Sequence, residues 1–134
     1  MTLPLRRALG TRICGALLCF AAPAAAQDDP PRLLCAGTEP LWSLEMDVEG
    51  AVFTAPERPQ IDYQIVDQRA ALGRPWPKGI TLLAPEDTAI ALLRPQACRD
   101  GASDRIYVWL VDLLTQRDGE AVILTGCCRE APDQ

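Results

Sequence analysis

The chain predicts an all-β fold, a small antiparallel β-barrel stapled by disulfides, and three observations carry that expectation. Trp42, Leu44, Met46 and Val48 alternate with Ser43, Glu45, Asp47 and Glu49, the period of two of a strand with one wet face. Asp118-Gly119 separates apolar runs at 106–114 and 121–127, a strong short-range hairpin signal. The 12 prolines and 9 glycines supply many turn residues, and no helical period stands out after residue 26.

The first residues are read as a separate unit. Arg6, Arg7 and Arg12 precede an apolar run at 13–22 and the small segment Ala24-Ala25-Ala26, the pattern of a secretory signal peptide spanning 1–26. The run is shorter than the roughly 18 residues a membrane span needs, so the mature chain is expected to carry no stable span and to be periplasmic or secreted. Leu17-Leu18 before Cys19 lacks the small residue a lipoprotein peptidase would require, which disfavours lipid anchoring. The expected organisation is a flexible mature N-terminus at 27–34, a single β domain at 35–129 and a tail at 130–134.

Within that domain the elements follow in order. Glu49-Gly50 punctuates the first strand and Ala51-Val52-Phe53-Thr54 resumes it, so a hairpin is expected with Gly50 at positive φ. Ile61, Tyr63 and Ile65 alternate with Asp62 and Gln64 after a break bounded by Pro56 and Pro59. Shorter strands are expected at 80–83 and 88–93. Pro75-Trp76-Pro77 makes 74–78 a loop, its tryptophan either a recognition aromatic or a lid over a small core. A two-residue Asp118-Gly119 turn sets Leu113 opposite Leu124, Val111 opposite Gly126 and Trp109 opposite Cys128 on the core face, with Asp112 opposite Thr125 outside. A closed barrel is preferred to a sandwich because closure removes the exposed edges of an open sheet.

Composition narrows the chemistry. The chain has no histidine, which removes Ser-His and Cys-His nucleophilic arrangements and imidazole metal sites together. Neither a catalytic residue, a metal nor a cofactor is predicted, and the chain is read as a non-enzyme. The acidic pair Glu86-Asp87, next to Pro85, is expected to be solvated turn charge. Asp100-Gly101-Ala102-Ser103-Asp104 lacks the further ligands of a calcium loop and is expected to be a turn held by its Asp and Ser side chains. Three of the 13 basic residues fall in the signal while all 18 acidic residues follow it, leaving a formal charge of −8 for 27–134. That argues against nucleic acid and fits either plain solubility or a basic partner.

An exported chain meets an oxidising environment, so Cys35, Cys98, Cys127 and Cys128 are disulfide candidates. Cys127 and Cys128 are adjacent on a strand and point to opposite faces, so each should find a distant partner.

Gly37-Thr38-Glu39-Pro40-Leu41-Trp42-Ser43, the run from Cys98 to Tyr107, and Gly126-Cys127 resemble a family of uncharacterised bacterial exported proteins and candidate lipoproteins, often labelled predicted membrane protein. Its pattern is G-[TN]-E-P-F-W-S, then C-x-D-G-M-S-D-x-x-Y-P, then G-C, with departures here at Leu41, Ala102 and Val108. The resemblance implies a Cys98–Cys127 disulfide and, with it, Cys35–Cys128; it implies no reaction. A looser similarity lies at 102–107, which places Ser103, Arg105 and Tyr107 in order at a loop-to-strand junction, as does the loop by which exported barrel-type inhibitors enter the cleft of c-type lysozyme; the glycine of that loop is missing here. The functional expectation is a non-catalytic envelope-associated or binding domain. Its alternatives are an inhibitor of c-type lysozyme acting through the Asp100–Tyr107 loop and a small-ligand-binding barrel; the barrel is expected to be lipocalin-like or lysozyme-inhibitor-like, and the candidate binding residues are Ser103, Asp104, Arg105, Tyr107 and Trp76. The corresponding partners are an envelope component, a basic protein such as lysozyme, or a small ligand.

Overall fold

Alternation of buried and exposed side chains governs most of the strands among the described residues. The computed structural model describes residues 32–117 and 119–132. Eight strands run in sequence: β1 (Leu33–Thr38), β2 (Leu41–Met46), β3 (Ala51–Thr54), β4 (Ile61–Ala70), β5 (Lys78–Leu83), β6 (Thr88–Cys98), β7 (Tyr107–Arg117) and β8 (Glu120–Glu130). Each pairs antiparallel with the next, and β8 returns to β1, closing the barrel. The expected signal peptide and Asp118 lie outside the described residues.

Eight strands enclose an interior just wide enough for side chains to fill. Large Trp42, Phe53 and Tyr63 are balanced by small Ala51, Ala89 and Ala91, all in one buried cluster. The β7–β8 hairpin has the expected register, with Leu113↔Leu124, Val111↔Gly126 and Asp112↔Thr125 paired. Val111 and Leu113 are fully buried, and Asp112 lies outside, accepting from Thr125 Oγ1 at 2.9 Å and pairing with Arg94.

Both disulfides implied by the resemblance are formed. Cys35 and Cys128 face each other across the β1–β8 ladder, inside the core cluster, while Cys98 and Cys127 are bonded outside it. The opposite faces expected of adjacent cysteines are thus realised in two different staples.

Several expectations need correction. β1 starts at Leu33, inside the segment read as a flexible leader, and β8 runs to Glu130. β2 ends at Met46, so Val48 is in the turn and exposed rather than on the core face. Gly50 does not have positive φ; the turn is held by Asp47, whose Oδ1 accepts from Glu49 N at 2.8 Å and Gly50 N at 3.1 Å. Glycine is needed there for another reason, because a Cβ would meet the Tyr63 carbonyl oxygen at 2.5 Å. Trp109 pairs with Cys128 as expected but is only partly buried, for its end of the barrel is open.

Asp87 is the largest departure. The turn joining β5 to β6 is closed by mutual backbone bonds of Ala84 and Asp87. The Asp87 carboxylate, instead of facing water, is 8 % exposed and turned into the barrel. It accepts from the hydroxyls of Tyr63 and Thr115 and from Gln116 N at 3.2 Å, so its burial is matched by donors from β4 and β7. This polar knot plugs one end of the barrel.

Candidate binding site

The opposite end is open, and its shape follows from two local features. In β4 the pairing slips between Ile65 and Asp67, a bulge that leaves Val66 exposed and shifts the alternation by one. Gln68 therefore lines the barrel mouth, while Asp67 turns outward to Arg69. The loop between β4 and β5 then folds back through Ala71 N to Pro77 O at 2.9 Å and Arg74 N to Ala71 O at 3.1 Å, with Gly73 at φ 72°. That bend carries Trp76 over the mouth.

Beneath Trp76 is a cavity of about 240 Å³. Met46, Ile65, Ile80 and Leu93 form its apolar floor, and Asp47, Gln68, Lys78 and Glu130 supply its polar groups. Trp76 packs against Trp109 with ring centroids 4.8 Å apart and planes tilted by 49°. The Lys78 ammonium lies over the Trp76 ring, 4.6 Å from its centroid, in cation–π geometry. Trp109 Nε1 is buried and has no hydrogen-bond partner.

Of the residues expected to bind, only Trp76 is here. Ser103, Asp104, Arg105 and Tyr107 belong to the β6–β7 connection and line no part of this cavity. That loop is organised around Asp100, whose Oδ1 accepts from Ala102 N at 3.0 Å and Ser103 N at 2.9 Å. Ser103 Oγ and Tyr107 Oη also donate to Asp100, at 3.2 and 2.9 Å, and Thr38 Oγ1 donates to its carbonyl at 2.9 Å. Ser103 and Tyr107 are thus brought together as turn supports, while Asp104 and Arg105 are exposed at the tip.

The Ser103 N–H above all, then the Tyr107 hydroxyl, holds the Asp100 carboxyl below its ordinary 3.8. A depressed folded value means that the carboxylate supports the loop above the unfolded pKa and loses that support as pH falls through the folded one. Exchange of the Ala102 and Ser103 amides is accordingly expected to accelerate, beyond its intrinsic pH dependence, below pH 3.8. Asp100→Ala, which removes the acceptor, should leave them unprotected at every pH. Equal protection in the variant would mean that the backbone alone holds the turn.

Lys78 and Trp109 escaped the sequence reading, one inside a loop assignment and the other assigned to the core. Their shared location emerges only when β5 and β7 are curled into one barrel. Among the described residues no group of three or more His, Cys, Asp or Glu side chains could hold a metal ion, and no helix is long and apolar enough to cross a membrane. No protein-family model, curated protein or solved structure matches this chain.

Proposed function

We propose that the chain is an exported, non-catalytic binding barrel that takes a small, largely apolar ligand at its open end. The carrying observation is the cavity under Trp76 and Trp109, apolar at its floor, with a few polar groups at its rim, as small-molecule sites are built. The export signal and the two disulfides support a periplasmic or secreted setting. The lack of histidine supports a binding role over a catalytic one.

Inhibition of c-type lysozyme has narrower support, in the exposed Asp104 and Arg105 on a loop pinned by Asp100 and by the Cys98–Cys127 bridge. Ser103, central to that similarity, is already committed to its own turn.

The neutral fluorophore N-phenyl-1-naphthylamine tests the mouth directly. It is expected to bind one per chain with energy transfer from tryptophan, to lose about tenfold or more in affinity in Trp76→Ala, and to be unaffected by Arg105→Ala. Absence of saturable binding would remove the ligand-binding reading. Slowed lysis of bacterial cells by c-type lysozyme, relieved by Arg105→Ala, would put the loop in its place.

A further inference from the structure

We propose that the mouth takes an extended peptide segment, added as a strand along the free edge of β4 at 64–70. One large apolar side chain of that segment enters the cavity, and basic side chains turn outward. The inference rests on the cavity being a ligand site and names a polypeptide as the molecule that supplies the apolar group.

The edge follows from unequal strand lengths. β4 has ten residues, but β3 pairs only with Ile61, Asp62 and Tyr63. β5 pairs with 64–70 on one side, Val66 bulging out, and among the described residues no strand pairs with the other side. The β2–β3 turn ends against Tyr63, where a Cβ at Gly50 would lie 2.5 Å from its carbonyl oxygen, and beyond that point the wall is notched. Val66 to Ala70 are all exposed. Alternate residues of such an edge direct N–H and C=O groups outward, a template for one further strand.

The apolar side chain follows from register. Ile65 and Gln68 of this edge line the cavity, so a strand laid beside them points alternate side chains into it. A cavity of about 240 Å³ has room for about eight methylene-sized groups if each takes roughly the 30 Å³ of a water molecule, enough for a phenylalanine side chain.

The basic outer face follows from charge. Glu45, Asp47, Glu49 and Asp62 line a hollow at the foot of the notch, and no Lys or Arg lines it with them. Glu45 is paired with Arg32; the other three carboxylates face an incoming strand. A second copy would bring its own β4 edge and the same acids, so like charges would meet. The chain's own Asp28-Asp29-Pro30-Pro31 is acidic and contains two residues without an N–H. The bulge and the outward Asp67–Arg69 pair restrict the edge to a short partner, as edges are shielded from long flat ones, and leave its inner side open.

The probe is acetyl-Thr-Lys-Phe-Lys-Thr-amide, titrated calorimetrically into the disulfide-intact protein. It is expected to bind one per chain, to displace N-phenyl-1-naphthylamine and to slow amide exchange within 64–70. Forms with alanine for phenylalanine, or glutamate for both lysines, should each bind at least about tenfold more weakly. N-methylation either of the phenylalanine or of both lysines should cost about tenfold or more, and the other methylated form should stay within about threefold, because only alternate amides face the edge. Asp62→Lys, at an exposed position, should narrow the preference for lysine over glutamate by about fivefold and leave N-phenyl-1-naphthylamine affinity unchanged. Equal affinity of the two methylated forms, unchanged exchange at 64–70, binding without displacement, or a glutamate form that binds as tightly as the parent would overturn the proposal. If N-phenyl-1-naphthylamine binds and the peptide does not, this inference falls and the small-ligand reading stands; if neither binds, both fall.

Discussion

Gly126→Ala is expected to prevent stable folding, or to lower stability by 3 kcal/mol or more, about the upper end of ordinary overpacking costs. An added Cβ would lie 2.3 Å from the Ala36 carbonyl oxygen and 2.8 Å from Cζ2 of Trp42. The first is backbone of the paired strand, so a side-chain rotation cannot relieve it. Gly37 is under the same indole: its Cβ would come within 2.1 Å of Trp42 Nε1 and 2.7 Å of the Thr125 carbonyl oxygen. Two bare backbone positions on β1 and β8 therefore form the seat of a tryptophan from β2, which is 2 % exposed and stacked on Phe53 at 6.1 Å. Urea denaturation of Gly126→Ala and Gly37→Ala beside an exposed control, Thr54→Ala, measures the effect. Midpoints for the glycine variants near that of the control would show that the β1–β8 strands can separate enough to admit a methyl group.

The same arrangement gives a physical meaning to Gly37-x-x-x-x-Trp42 and Gly126-Cys127. Gly37 and Trp42 are opposite each other in the β1–β2 pairing, and Gly126 faces them from β8. Glycine here permits close approach of backbone to an aromatic ring, a use in which its conformational freedom plays no part.

How much of this could be read from the sequence depended on how local the determining contact was. The β7–β8 register was legible because a two-residue Asp-Gly turn fixes pairing from one end and alternation fixes the face. β1 was not, because Leu33-Leu34-Cys35-Ala36-Gly37-Thr38 points a cysteine and a glycine inward, and neither gives a hydrophobic beat. Asp87 could not be recognised as buried because Tyr63 and Thr115, which make that burial tolerable, lie 24 and 28 residues away. The mouth was half legible. Trp76 was singled out as lid or recognition group, and its position over the cavity with Lys78 above it suits both descriptions. Trp109 was placed on the right face, but strand alternation says nothing about which end of a barrel is open.

Loss of the Cys35–Cys128 bridge is expected to cost more than loss of Cys98–Cys127, although both pairs share the same stretch of β8. In the chain-entropy account a separation of 93 residues contributes about 4.6 kcal/mol, against about 3.6 kcal/mol for a separation of 29. With the second bridge in place, a shorter path connects Cys35 to Cys128, which trims the first figure by only a few tenths of a kcal/mol. Packing acts in the same direction, for Cys35 and Cys128 are in the central core cluster and the other pair is not. The first bridge also lies on the ladder that closes the barrel, which on β1 extends only from Leu33 to Ala36. Replacing each pair by alanine and comparing urea midpoints at equal m-value tests the order, and hydrogen exchange locates the damage. In Cys35→Ala/Cys128→Ala the amides of β1 should lose protection before those of β7, since β7 keeps its long pairing with both β6 and β8. A larger loss from Cys98→Ala/Cys127→Ala would show that the staple outside the barrel, where it anchors the 98–107 loop, is the one that holds the closing strands together.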